Sequence, residues 1–261
     1  MTYWEMFLLA AVQGVTEFLP VSSSGHLALL NLLLGVEEGS VAVVVLLHAA
    51  TLVAVVLYFF KDLWSLLFER RALIPVLILA TIPVVVIGLA FHDLIEAAFG
   101  SAVLVGVNLL VTGLLLWIGQ SLNTGKRSDL AEISWKDGLG VGLAQSLSIL
   151  PGISRSGSTI AAGMALGLDR ALAARFSFLV SVPALAGAAL YEGLKLWKEG
   201  SAAAGALNLK LAGFGFGAAF LTGLLSIHLL LKLIQSFGVR AFAVYCWCAG
   251  ILTIGLALFL G

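Results

Sequence analysis

Six stretches of this chain are apolar over roughly the length of a bilayer crossing: about 41–60, 72–91, 101–120, 171–191, 208–231 and 241–260. A helix needs about 20 residues to cross a hydrocarbon core about 30 Å thick. No water is available in that core, so each backbone N–H and C=O must be bonded within the protein, and helix is the conformation open to such runs. Charged residues make up only 11% of the chain and hydrophobic residues 61%, whereas soluble domains carry about 25% charged residues. The chain reads as an all-α integral membrane protein forming one membrane domain. Its formal net charge of zero gives no reason to expect nucleic acid as a partner. Glu5 and no Lys or Arg precedes the first apolar run, so a cleaved signal peptide is not expected.

Two further pairs of apolar segments are too short to span: 6–19 with 23–35, and about 138–150 with 156–167. Each pair flanks a polar break, the pattern of a re-entrant helix hairpin, which is tolerated only where protein or a wet cavity surrounds it. The first break lies in QGVTEFLPVSSSGH, from Gln13 to His26, and the second in QSLSILPGISRSGST, starting at Gln145. At an offset of 132 (145 minus 13), Gln13 matches Gln145, Ser22 matches Ser154, Ser24 matches Ser156 and Gly25 matches Gly157. Pro20 and Pro151 precede the two serine runs, one place out of register. Broken helices at equivalent places in two halves point to a binding site in a repeat-built membrane protein. With three full spans per half, the halves (about 1–125 and 126–261) are expected to be inverted, one hairpin arising from each side. Lys61, Arg70, Arg71, Lys126, Arg127, Lys136, Arg170, Arg175, Lys232 and Arg240 then share one side, against Lys195, Lys198 and Lys210 on the other. The positive-inside rule makes the first side cytoplasmic and puts both termini outside.

Other features carry less. GLGVG at 138–142 and GFGFG at 213–217 lack the strand–turn–helix setting of a nucleotide loop, and close helix packing explains them better. Cys246 and Cys248, two apart, point to different helix faces and are expected to be packing residues. His48, His92 and His228 are isolated and are expected to be structural or interfacial.

The chemistry gathers at the breaks. On a helix Gln13 and Glu17 share a face, as do Ser23 and His26. The helices restarting at Ser22–Gly25 and Ser154–Gly157 present free N–H groups and positive dipole ends, which attract anions. Arg155 adds a permanent charge with a fork suited to phosphate oxygens, at a depth where arginine costs about 2.5–3.5 kcal/mol even on the mild scale. Two such termini facing each other suit a diphosphate. Glu17 beside it requires either a bridging divalent cation, to which Gln13 could add a carbonyl oxygen, or a role as a base or a base's partner. Ser22 sits where an N-cap is needed and Ser24 diverges from His26. Ser23 is therefore the expected nucleophile, with His26 drawing off its proton.

These residues resemble a known family. QGVTE with FLPVSSSGH is similar to the [E/Q]-x-x-x-E and serine-rich motif of the undecaprenyl-diphosphate phosphatase (bacitracin-resistance) family, and PGISRSGST resembles its P-G-x-S-R-S-x-x-T signature. The likeness extends to length, spacing and two-half layout. It implies removal of the terminal phosphate from a polyprenyl diphosphate lipid, dependence on a divalent cation such as Mg2+ or Ca2+, and a bacterial inner or plasma membrane setting. It assigns Glu17 to the second acid of the first motif, Ser23 to the nucleophile, His26 to the essential histidine and Arg155 to the phosphate-binding arginine. Ser22, Ser154, Ser156 and Thr159 match polar positions around them. Position 13 is Gln where many members carry Glu, so a two-carboxylate metal site is not implied. A homodimer is compatible with this reading. Two alternatives stand beside it: a transporter or flippase of a lipid phosphate, which would share the broken helices, and a type-2 phosphatidate phosphatase. Ser24-Gly25-His26 is similar to the latter's S-G-H element, but Ala161 stands where its later histidine belongs.

Overall fold

The structure is a computed structural model that describes residues 1–35, 41–199 and 208–260. Among the described residues there are twelve α-helices and no β-strand: α1 (Tyr3–Phe18), α2 (Ser23–Leu34), α3 (Val41–Tyr58), α4 (Phe60–Phe68), α5 (Leu73–Ala90), α6 (His92–Phe99), α7 (Ala102–Leu122), α8 (Trp135–Leu147), α9 (Arg155–Ala165), α10 (Arg170–Glu199), α11 (Leu209–Phe237) and α12 (Arg240–Leu260). Six of them, α3, α5, α7, α10, α11 and α12, are long and apolar enough to cross a membrane. These are the six runs read from the sequence. The fourth and fifth continue to Glu199 and Phe237, beyond the expected 191 and 231, because backbone hydrogen bonding continues past the point where hydropathy falls.

Two helices were not expected, α4 and α6, in the loops 61–71 and 92–100. In α4 the residues Phe60, Trp64, Leu67 and Phe68 are each more than half exposed, and the rings of Phe60, Trp64 and Phe68 follow one another along one face. An apolar face of this kind beside Lys61 belongs at a membrane interface.

The short pairs form as the sequence implies. Ser22 caps α2, its side chain accepting from Gly25 N at 3.3 Å. Ser154 caps α9 in the same way, accepting from Gly157 N at 3.0 Å. Each cap satisfies a helix-start donor that hydrocarbon would leave orphaned. Between helices the chain turns at Ser22, φ 70°, and at Gly152, φ 92°. At Gly152 a Cβ would also meet the Val105 carbonyl and Asn108.

Small residues let the helices approach closely. Gly14 of α1 lies against Ala219 and Thr222 of α11, and Ser226 Oγ donates to Val15 O at 2.7 Å. Gly138 and Gly142 of α8 lie against Val76 and Ala80 of α5, and Gly215 of α11 lies over Met6. The glycine-rich stretches at 138–142 and 213–217 are thus interior to helices. The short first helix of each hairpin therefore packs on a long helix from the other half of the chain. Cys246 is buried, and its thiol donates to Pro20 O at 3.5 Å. Cys248, expected to pack, is exposed, because it leaves the opposite face of α12.

The first half of α10 forms the centre. Phe176, Phe178, Leu179 and Val180 are fully buried in one cluster with Phe18, Leu116, Ile160 and Ile227. Between the halves, Arg127 donates to both carboxylate oxygens of Asp137, at 2.7 and 2.8 Å. Arg127 N also donates to Gly167 O at 3.2 Å, which ties the linker to the end of the second hairpin.

Candidate active site

The two breaks touch. Gly152 N donates to Ser24 Oγ at 3.1 Å, and Ser156 Oγ donates to Leu19 O at 3.0 Å. The carbonyls that helix geometry leaves open at the breaks are met by side chains of neighbouring helices. Asn108 Nδ2 donates to Pro151 O at 2.7 Å and Thr112 Oγ1 to Gly152 O at 3.0 Å. Irregular backbone inside the bundle is therefore met at these two carbonyls by side chains of α7.

Over this junction lies a cavity of about 320 Å³. Its polar wall contains Gln13, Glu17, Ser22, Ser23 and Ser24 from the first hairpin, with Gln145, Ser148, Ser154 and Arg155 from the second. Glu17 is the hub. Its Oε1 accepts from Arg155 Nη2 at 2.8 Å. Its Oε2 accepts from Ser23 Oγ at 3.0 Å and from Gln13 Nε2 at 3.0 Å. His48 Nε2 stands 4.0 Å from the same oxygen. The Glu17 and Arg155 side chains are 7% and 12% exposed, so each charge is buried and compensated by the other. Among the described residues, the buried side-chain polar atoms without a protein partner are Gln13 Oε1, Gln145 Oε1 and Arg155 Nη1. Each such atom costs about 1–3 kcal/mol unless something bonds it. All three residues line this one cavity, and such groups cluster where a ligand or water is received.

Of the expected site residues, Gln13, Glu17, Ser22, Ser23, Ser24, Ser154 and Arg155 line the cavity, while Gly25, His26, Ser156 and Thr159 do not. Gly25 packs on Leu109, where a Cβ would collide. Ser156 bridges to the first break as described. Thr159 Oγ1 pairs with Ser177 Oγ at 2.6 Å and donates to Arg155 O at 2.8 Å, which holds α9 against α10. His26 is directed elsewhere. Its Nδ1 bonds to Ser22 O and its Nε2 to Tyr245 OH, both at 2.7 Å, and its ring stacks on Tyr245 with centroids 5.5 Å apart. The expected Ser23–His26 pair does not form. The imidazole folds back onto the carbonyl four residues before it, and the Ser23 hydroxyl at the head of α2 faces across the break to α1.

Four polar cavity residues, Thr16, His48, Gln145 and Ser148, were not anticipated there. Gln145 carried a signal in its repeat match to Gln13, and Ser148 carried none. His48 was assigned a structural or interfacial place. Its Nδ1 does bond to Val44 O at 2.9 Å, but its other nitrogen faces Glu17. His228 Nδ1 meets Tyr58 OH at 3.3 Å, a structural place as expected. The side chain of His92 lies outside the described groups.

Chemically, the arrangement places a hydroxyl already donating to a carboxylate beside a guanidinium with one Nη free of protein partners. Among the described residues no three His, Cys, Asp or Glu side chains are grouped to hold a metal ion. What the site offers a hard cation is Glu17 and the unpartnered Gln13 carbonyl oxygen, a donor set compatible with magnesium or calcium when phosphate and water supply the remaining oxygens.

Residues 6–252 match the family model described as bacitracin resistance protein BacA. The chain is 40% identical over 274 residues to an undecaprenyl-diphosphatase of Alkaliphilus metalliredigens, covering 97% of this chain and 98% of that one. It is 38% identical to one of Carboxydothermus hydrogenoformans, covering 96% of each chain. To one of Aliivibrio salmonicida it is 41% identical, covering 94% of each.

Proposed function

The chain belongs to the bacitracin resistance protein family, and from that premise we propose that it is a membrane phosphatase hydrolysing undecaprenyl diphosphate to undecaprenyl phosphate and inorganic phosphate. This reaction recycles the lipid carrier used in cell-wall synthesis. The observation that carries the chemistry is Ser23 Oγ donating to Glu17 Oε2 at 3.0 Å while Arg155 holds Oε1 at 2.8 Å, at the wall of a cavity among membrane-spanning helices.

In this reading Ser23 Oγ attacks the terminal phosphorus and its proton passes to Glu17. The bond between that phosphorus and the bridging oxygen breaks, and polyprenyl phosphate leaves. Water then attacks the phosphoserine, releasing phosphate and restoring the Ser23 hydroxyl. Arg155 and the helix starts at Ser22 and Ser154 stabilise charge on the moving phosphoryl group. Positioning and charge stabilisation supply most of the rate in such transfers. Glu17 takes the part of base that sequence spacing assigned to His26. His26 positions the break by clamping the Ser22 carbonyl against Tyr245.

A divalent cation would be held by Glu17 and the Gln13 carbonyl and would neutralise phosphate charge beside the carboxylate. The basic loops 61–71 and 121–136 are assigned to the cytoplasm, so that the first hairpin enters from outside, as one of two inverted halves. A carrier of the same lipid would not need a serine hydroxyl on a buried carboxylate. Phosphate release by the purified protein from undecaprenyl diphosphate tests the assignment; a protein that binds this lipid and releases no phosphate is not the phosphatase.

A further inference from the structure

α5 and α10 lose their packing at corresponding points. The buried residues of α5 are Leu73, Val76, Leu77 and Ala80, and none follows Pro83. In α10 burial is nearly continuous from Leu172 to Ser181, and no residue from Val182 to Lys198 is buried. Up to their prolines the two helices share one hydrophobic cluster; beyond them they do not. Proline removes a helix hydrogen bond and weakens the turn around it, and in both helices burial ends at that turn.

The cavity continues between these less buried halves. Its apolar lining includes Leu27, Val44, Ile149 and Ile153, and toward the exposed end Val84, directly after Pro83, Ala184 and Leu185, directly after Pro183, and Ala188 one turn further. Phe99, at the end of α6, stands at the edge and is 54% exposed. Ala188 is also exposed, so this end is the cavity's mouth. Val84 and Ala184–Ala188 lie within helices long and apolar enough to cross a membrane, with Phe99 just outside them, so the mouth is bordered by the kind of surface that hydrocarbon covers. A cavity with buried charge at one end and an apolar opening into the bilayer fits an amphiphile whose head is the diphosphate and whose tail is a hydrocarbon.

We propose that the substrate's prenyl chain leaves the site sideways through this gap, between the C-terminal halves of α5 and α10. The proposal rests on the phosphatase reading for the identity of the head group. Continuity of the gap with the Glu17–Arg155 site argues for the substrate's own tail as occupant. The small side chains of Ala184 and Ala188 give the gap width for a methyl-branched chain and make these positions specificity-determining.

Two experiments on the full-length protein test it. Ala184→Phe and Ala188→Phe narrow the gap, while Ala186→Phe adds the same bulk on an exposed part of α10 that does not line the cavity. With undecaprenyl diphosphate, kcat/KM should fall about tenfold or more in the first two and stay within about threefold in the third. With isopentenyl diphosphate, which carries a single prenyl unit, the loss in the first two should be several-fold smaller than with undecaprenyl diphosphate; an equal loss on both substrates would overturn the tail assignment. Independently of any variant, a polyprenyl diphosphate carrying a benzophenone near its diphosphate end should photolabel α5, α6 or α10, and undecaprenyl phosphate should compete the label away. Labelling of α2, α7 and α12 instead, or unchanged lipid turnover in both narrowed variants, overturns the proposal. So does competition by phosphatidylglycerol as effective as that by undecaprenyl phosphate, since the gap would then be an ordinary lipid groove. A chain that releases no phosphate from the lipid refutes the phosphatase reading instead, and the labelling still reports on the gap.

Discussion

Glu17 is the side chain through which both hairpins meet, and its partners decide which neighbours matter. Helical spacing brings Ser23 and His26 to one face, but it does not say whether a group across the break is nearer. Here Glu17 is nearer, at 3.0 Å from the Ser23 hydroxyl. Ser23→Ala should therefore lower kcat for phosphate release by about a thousandfold or more, a loss of about 4 kcal/mol in barrier stabilisation, with lipid binding retained. Turnover within about tenfold of the unmodified chain would assign attack to water. Arg155→Lys keeps a charge near Glu17 but loses the second arm of the fork, so kcat/KM should fall by about tenfold or more. Near-full activity would reduce Arg155 to a generic cation. Chelation should depress activity, added magnesium or calcium should restore it, and Glu17→Gln should blunt that response. Full activity after chelation would remove the cation from the scheme. The identities of Glu17, Ser23 and Arg155 were legible from the sequence because ionisable and hydroxyl groups are costly among apolar spans. The parts of His48 and Gln145 were not, since a lone polar residue in a helix carries no record of what it faces.

At the scale of elements, the breaks and the linker clamp depend on contacts made at distance. Gly152 holds φ 92° beside the Val105 carbonyl. Gly152→Ala meets both a strained backbone and a backbone collision, and should destabilise the protein in detergent by about 2–4 kcal/mol, read as a lower unfolding temperature. Asp137 lies outside the six spans, at the start of α8. Burial pushes its carboxyl up, but bonds from Arg127 and Ser134 outweigh this and hold it below the usual carboxylate range. A depressed carboxyl contributes stability in full above the unfolded value of about 3.9, and that contribution is lost as pH falls below it toward the folded value. Asp137→Asn should therefore unfold at lower temperature than the unmodified chain at neutral pH, and the difference should shrink as pH drops below about 4. A difference independent of pH would mean that the ion pair is not its source. α4 and α6 escaped the sequence reading because each is too short for periodicity to stand out beside a span.

For the whole molecule, the proposed orientation rests on the distribution of Lys and Arg. In a background with Cys246 and Cys248 replaced, Asp93→Cys should react with an impermeant thiol reagent in intact cells and Lys126→Cys should not. The reverse pattern would turn the protein over and place the first hairpin's opening in the cytoplasm. The sequence alone determined that the chain is helical, that it crosses the membrane six times and that it breaks twice near Pro20 and Pro151. These follow from a local requirement, because each segment must satisfy its own backbone in hydrocarbon and an apolar run can do so only as helix. Only the tertiary structure decided that Arg155 pairs with Glu17, 138 residues away, that Ser23 donates to Glu17 while His26 turns to Tyr245, and that one cavity is lined by both α5 and α10 just beyond their prolines. Those outcomes depend on how close distant helices come, which is set by glycines such as Gly14, Gly138 and Gly142 meeting backbone on another helix, and no local pattern encodes which helix that will be.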